Sequence, residues 1–290
     1  MIQVKGPAQT APAPARIWGL LASEASTALI FRRGPSRWTH LYLWNTRTDT
    51  ITPGSWFRGR VYEWMSDLSP DGQHLLYVAR NESPHRVEAA AKTFEGERLW
   101  TWTALCRPPW VQALGLWNAS DGWSGGGIFT QNHCLTLNHA ARELKALIQP
   151  TGFTIQGSVG RERVDTLLTS LQRTGWQLTL KPEQWMGLGE AHPVILRKGA
   201  LELRFISSAR SRRYMTYLWH GRGAVPLLDS ATWADLDQQG RLVFASQGRL
   251  YVTRGTTTQE LMNLNLDQPR WHPPTTSHPP VLPVDVPDQS

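Results

Sequence analysis

One phrase occurs twice in this chain. Trp64-Met-Ser-Asp67-Leu-Ser-Pro70-Asp71-Gly72-Gln-His74-Leu-Leu-Tyr77-Val-Ala79 returns as Trp233-Ala-Asp235-Leu-Asp237-Gln-Gln-Gly240-Arg-Leu242-Val-Phe244-Ala245. Each copy reads as a strand, a tight turn and an apolar strand. In the turn, Pro presets one backbone angle, Asp bonds neighbouring amides and Gly takes the left-handed conformation without steric cost. Self-similarity at intervals of tens of residues marks a structural unit used several times.

The unit is a small antiparallel sheet. Thr39-His40-Leu41-Tyr42-Leu43-Trp44 shows the period of two that strands need, and Tyr217-Leu218-Trp219 echoes its end. Rings of such sheets are β-propellers, in which stacking each sheet on the next removes exposed edges. Taking Ile30, Tyr77, Phe129, Phe205 and Phe244 as equivalent strand positions predicts an all-β propeller of five four-stranded blades. A sixth blade arises if residues 150–180 form a sheet of their own. The expected domain runs over 1–272, with an insertion at about 138–163 and a helix within it at 140–147. Val111–Trp117, Val164–Leu171 and Trp176–Leu180 are expected as strands of the third unit, and Trp185–Gly189 as part of the fourth. A short helix is expected within Val87–Phe94. The N-terminal segment or the last strand is expected to close the ring by sharing a blade. Residues 273–290 are Pro-rich and are expected to form a flexible tail.

Ser69-Pro70-Asp71-Gly72-Gln73-His74-Leu75-Leu76-Tyr77 resembles the Ser-Pro-Asp-Gly repeats of TolB-type and WD40-like propellers of bacterial type. In the second copy Asp237-Gln-Gln-Gly240 replaces the phrase, and no clean Trp-Asp repeat ending occurs. The resemblance implies a non-catalytic scaffold that binds other proteins, although the fold also carries hydrolases, and function does not follow from fold.

Composition points the same way. Fifteen Trp favour packed sheet faces over base stacking, and a net charge of +7 with a pI near 9.8 suits an acidic partner. The two cysteines, Cys106 and Cys134, are too few for a disulfide framework or a four-cysteine zinc site and read as free thiols in a reducing compartment. The first ten residues lack the apolar run of a signal peptide, and no stretch approaches the roughly 20 apolar residues of a membrane span. The expected location is therefore the cytoplasm, with no membrane partner and no cofactor.

In a propeller, loops between second and third strands share one face with the loops between blades. That sorting places Arg32, Arg33, Arg37, Arg58, Arg60, Arg210, Arg212, Arg213 and Arg249 on one face, as a candidate site for carboxylate or phosphate. Asp49, Asp71, Asp121, Asp237 and Glu260 fall on the other. The leading function is protein–protein scaffolding in an assembly through the Arg face. The alternatives are salt-sensitive binding of a nucleic-acid backbone by the same face, and a propeller hydrolase with a site in the central channel.

Other motifs carry less. Gly122–Gly127 lacks the Gly-Lys-Ser/Thr of a phosphate loop, and Gly187-Leu-Gly189 lacks a dinucleotide context. His133, Cys134 and His139 form a ligand-like cluster, but adjacent strand residues point to opposite faces, which argues against a metal. His40 and His220 read as packing or surface residues. No catalytic residue is assigned. Asp67 and Asp235 recur at equivalent places and read as turn-stabilising hydrogen-bond formers.

Overall fold

The computed structural model describes residues 13–34, 37–82, 100–119, 125–140, 144–157, 163–181, 193–206 and 214–269. They form a five-bladed β-propeller. Blade 1 holds β1 (Arg16–Leu21), β2 (Thr27–Arg33), β3 (Trp38–Asn45) and β4 (Thr50–Arg58). Blade 2 holds β5 (Arg60–Val61), β6 (Asp67–Leu68), β7 (Leu75–Arg80), β8 (Thr101–Cys106) and β9 (Ala113–Asn118). Both β5 and β6 pair with β7, so they are one strand broken by the 3-10 turn Glu63–Met65. Blade 3 has β10 (Gly127–Gln131), β11 (Cys134–Leu137) and β12 (Thr154–Gly157), the last joining in parallel. Blade 4 has β13 (Gln177–Leu180), β14 (Val194–Lys198), β15 (Leu201–Ile206) and β16 (Tyr214–Trp219). Blade 5 has β17 (Ala231–Leu236), β18 (Leu242–Ser246), β19 (Arg249–Arg254) and β20 (Thr257–Asn263).

Several local expectations are corrected. Val111–Trp117 contributes β9, the last strand of blade 2, and Trp176–Leu180 contributes β13 of blade 4. The stretch 150–180 therefore serves two sheets and is not a sixth blade. Val164–Leu171 lies in a helix, α1 (Arg163–Arg173). Its apolar residues Val164, Leu167, Leu168 and Leu171 follow the i, i+3, i+4, i+7 spacing of a helical stripe, and Asp165 and Arg173 complement the helix dipole at either end. No helix is found among the described residues of 140–147. Ile30, Tyr77 and Phe244 lie in β2, β7 and β18 as aligned, but Phe129 opens its sheet in β10 and Phe205 sits in β15, the third strand. Val87–Phe94, Trp185–Gly189 and the Pro-rich tail lie outside the described residues.

The duplicated phrase builds the same hairpin twice. Gly72 N donates to Ser69 O and Gly240 N to Asp237 O, both at 2.9 Å, and both glycines have φ of 72°. Asp71 Oδ1 accepts from Gln73 N at 3.0 Å, and Asp237 Oδ1 accepts from Gln239 N at 2.9 Å. Blades 2 and 5 thus point these turns at blade 1, lying between them. Glu24 N donates to Pro70 O, and Gln238 Nε2 donates to Ala22 O.

Large side chains fill the gaps between blades. Trp44, Trp117 and Trp176 are fully buried, as strand-face aromatics should be. One core joins Leu29, Tyr42 and Tyr77 to Val243 and Leu250, bridging blades 1, 2 and 5. A second joins blades 4 and 5 through Leu196, Leu203 and Phe244, and a third joins blades 2 and 3 through Leu76 and Phe129. At the centre β1 meets β17 and β6, and β6 meets β10, while α1 packs on β10 and the turn Glu63–Met65. Gly19 lets β1 and β17 approach closely, because a Cβ there would stand 2.4 Å from the Trp233 ring. Gly19→Ala should therefore cost about 1–3 kcal/mol of stability through overpacking, read from urea unfolding.

Ring closure uses no shared strand, because β1–β4 and β17–β20 are each consecutive. Side chains close it instead. Asn265 Oδ1 accepts from Ala15 N at 2.9 Å, and Arg32 reaches the backbone carbonyls of Leu264 and Asp267. Among the described residues no helix is long and apolar enough to cross a membrane.

Candidate functional site

Among the described residues the centre of the ring is closely packed. Leu167, Ser170, Leu171 and Thr174, on α1 and just past it, line a cavity with Trp18, Asp67, Trp233 and Asp235, and its free space is about 30 Å3. That holds about one water molecule. Asp67, 1% exposed, accepts from Ser170 Oγ and Arg173 Nη2 at 2.6 Å through Oδ1, and from Phe129 N at 2.8 Å through Oδ2. Asp235 accepts from Lys198 Nζ at 2.8 Å and from Leu236 N at 2.7 Å. Burial pushes the Asp235 carboxyl above its ordinary value, against the pull of Lys198. These repeated aspartates are not turn formers. They sit two residues before each turn and tie blades together, Asp67 linking blade 2 to blade 3 and α1, Asp235 linking blade 5 to blade 4.

A second concentration of charge lies at the junction of blades 1 and 2. Starts of first and third strands and ends of second and fourth strands share one side of a blade. Arg16 opens β1 and faces Arg33 at the end of β2 in register. Arg58 ends β4 opposite Trp38, and Arg60 opens β5 opposite Arg80. Gly59 N donates to Arg37 O at 2.8 Å, which folds the Arg37 turn against the β4–β5 turn. Arg16, Arg37, Arg58 and Arg60 are exposed, and Arg60 lies 4.7 Å above the Tyr62 ring. Arg33 is half-buried and donates to Glu63 at 2.6 Å and to Val61 O at 3.2 Å. Burial pulls its guanidinium below the usual arginine value, Glu63 opposes this, and Arg16 and Arg60 add to it. Arg16 and Arg60 therefore lie close enough to act on Arg33. Arg80 is paired with Glu82. Among the described residues, no carboxylate pairs with Arg16, Arg37, Arg58 or Arg60.

Four of the nine expected arginines, Arg33, Arg37, Arg58 and Arg60, thus converge. Arg16 and Arg80 join them and were missed, although each stands at a strand end on the same side. Arg32 is not on the rim: it is 3% exposed and turned toward blade 5. Strand alternation sends it to the sheet face opposite Arg33. Arg249 lies in blade 5 and pairs with Glu260 at 2.6 Å, so Glu260 does not belong to an opposite acidic face. That face is not purely acidic either, since Arg241 binds both Asp49 and Asp237, and Arg254 also reaches Asp49. Arg210, Arg212, Arg213 and Asp121 lie outside the described residues.

The histidines take different partners. His133 stands against His74 and Phe153, with ring centroids 5.4 and 5.1 Å away, while His139 Nε2 lies 2.8 Å from Thr103 Oγ1. Cys134 is half-buried and Cys106 is buried, both unpaired. His220 lies 3.3 Å from Glu202, which Arg197 and Arg204 also bind. Among the described residues no group of three or more His, Cys, Asp or Glu is placed to hold a metal ion.

No family model matches this chain, and neither does any curated protein. Two solved structures align over most of it. An uncharacterised protein of Listeria monocytogenes is 10% identical, with 92% of this chain and 88% of that one covered and a TM-score of 0.30. An acylaminoacyl peptidase of Pyrococcus horikoshii is also 10% identical, with 87% of this chain but 45% of that one covered and a TM-score of 0.35. Likeness at this level carries no argument about what this chain does.

Proposed function

We propose that this chain is a non-catalytic propeller scaffold whose blade 1–blade 2 rim holds the acidic surface of a partner protein in a larger assembly. One observation carries this reading: Arg16, Arg37, Arg58 and Arg60 are exposed at adjoining strand ends, and among the described residues the carboxylates of that rim, Glu63 and Glu82, are spent on Arg33 and Arg80. Desolvating exposed guanidinium groups against partner carboxylates gives specificity and fast encounter rather than large affinity. Among the described residues the cavity between the inner strands offers about 30 Å3 of free space, which favours a scaffold over a channel hydrolase. Two free cysteines fit a reducing, cytoplasmic setting.

The test is the chain carrying Arg37→Glu, Arg58→Glu and Arg60→Glu. Being surface changes, they should each shift stability by no more than about 0.5 kcal/mol. Capture of partners from a native-host lysate should be lost, and retention of the same partners would remove the rim from consideration. Wild-type chain incubated with duplex DNA separates the nucleic-acid alternative. A gel shift at about 50 mM salt that disappears by about 200 mM would favour backbone binding instead.

A further inference from the structure

Arg32 and Arg33 are neighbours in sequence with opposite destinations. Arg32 Nε donates to Leu264 O at 3.2 Å and its Nη2 to Asp267 O at 3.0 Å. His40 and Tyr42, 4% and 1% exposed, stand beside it on β3. His40 Nδ1 lies 2.6 Å from Asp267 Oδ2, and the Tyr42 hydroxyl donates to the same oxygen. Trp56 forms the wall, stacked on His40 with centroids 4.1 Å apart and lying 5.6 Å beneath the Arg32 guanidinium.

We propose that Arg32, His40 and Tyr42 form a carboxylate-reading pocket, occupied here by the chain's own Asp267 and opened to an acidic side chain of a bound protein when residues 265–269 lift. The proposal rests on the scaffold reading and says where, beside the rim, a partner carboxylate is read. A buried guanidinium is costly without an anion, and the Arg32 hydrogen bonds go to neutral carbonyls. The carboxylate in this pocket is that of Asp267, held by His40 and Tyr42, and an uncovered pocket needs a replacement of the same charge.

The cover is weakly held beyond its first residue. Leu264 is anchored in the core, but Leu266 is 80% exposed, so no apolar burial pins the chain next to Asp267. Asn265 and Asp267 are held by polar contacts that include Ala15 N, Gln247 O, Asn263 Oδ1 and the pocket. Such contacts can be exchanged for those of another carboxylate, which would then cover His40 and Tyr42 in place of Asp267. The pocket also adjoins the rim. His40 pairs in register with Trp56, and two residues earlier Trp38 pairs with Arg58. An acidic segment lying along Arg37 and Arg58 therefore ends at this pocket.

The experiment uses the full chain and a labelled hexaglutamate peptide followed by fluorescence anisotropy. D267A should bind it about tenfold more tightly than wild type, and adding Arg32→Met to D267A should cancel the gain. Equal affinity of wild type and D267A overturns the proposal. If D267A does not fold, D267N makes the same comparison, with a gain of about threefold expected and no gain as the overturning result. The rim variant separates the two readings. Lost partner capture there, together with no gain in D267A, sinks the pocket and spares the scaffold. A gain in D267A with partner capture intact in the rim variant sinks the rim and leaves a carboxylate pocket.

Discussion

Asp67→Ala should destabilise this protein by about 3–5 kcal/mol, the range for breaking a buried charge pair from one side. Asp67 is 1% exposed and serves three donors on two elements at once: the Phe129 amide of β10, and the Ser170 hydroxyl and Arg173 of α1. Without the carboxylate, the amide and hydroxyl lose their acceptor and Arg173 keeps only its bond to Leu68 O at 3.0 Å. Each unsatisfied donor adds its own desolvation cost. The comparison is Asp71→Ala, four residues on. Asp71 is half-buried and accepts from Ser69 Oγ and Gln73 N within its own hairpin, so its loss should cost about 1 kcal/mol. Urea unfolding of the two variants decides the matter. Equal effects would mean that Asp67 is a turn residue after all and that α1 is not held by it.

The contrast between these two aspartates shows what could be read in the sequence and what could not. Turn chemistry is local, so Pro70-Asp71-Gly72 and Gly240 announced hairpins that are present. Local period-two patterns then gave strands, and enough strands gave a five-bladed ring. Partners from distant segments leave no such trace. Nothing near Asp67 indicates that Arg173 will meet it, and nothing near Arg32 indicates that residues 264–267 will cover it. One signal was available for the aspartates: a carboxylate recurring inside an apolar strand, ahead of a turn that already had its own capping residue, is better explained by a buried partner. Another was available for α1, whose apolar spacing is helical and was overridden by the expectation of a strand in every segment.

The rim illustrates the middle case. Strand-end position assigns a side of the blade, and that rule brought Arg33, Arg37, Arg58 and Arg60 together. It does not say whether a side chain at that end turns outward, inward or onto a neighbour. Arg32 turns inward, Arg33 is shared with Glu63, and Arg249 is neutralised by Glu260. The arginines free to meet a partner are therefore fewer than the nine expected, and among the described residues of that set they gather at one junction.

Acidification should weaken the fold through His74, and His74→Phe should remove that part of the response. His74 stands just before β7, the second strand of the duplicated unit, and is 7% exposed, with no hydrogen-bond partner for Nδ1 among the described residues. Its ring meets His133 at 5.4 Å and Phe153 at 5.0 Å, edge to face. Burial pulls it down to about 4; Asp71 opposes this, while His133 and Arg107 add to it. In the unfolded chain the same group titrates near 6.5, so between those values the unfolded state binds more protons. The stability owed to neutral His74 is complete above about pH 6.5 and is lost as pH falls toward about 4, a difference of about 3 kcal/mol. Burial lowers His40 as well, with Asp267 opposing and Arg32 adding, and its contribution has the same sign. Other groups also titrate, so the decisive quantity is the difference between wild type and His74→Phe in urea unfolding at pH 7 and pH 4.5. Wild type should lose more stability than the variant over that interval. Parallel losses would mean that water or a proton reaches His74 at no cost, and that the blade 2–blade 3 junction is open.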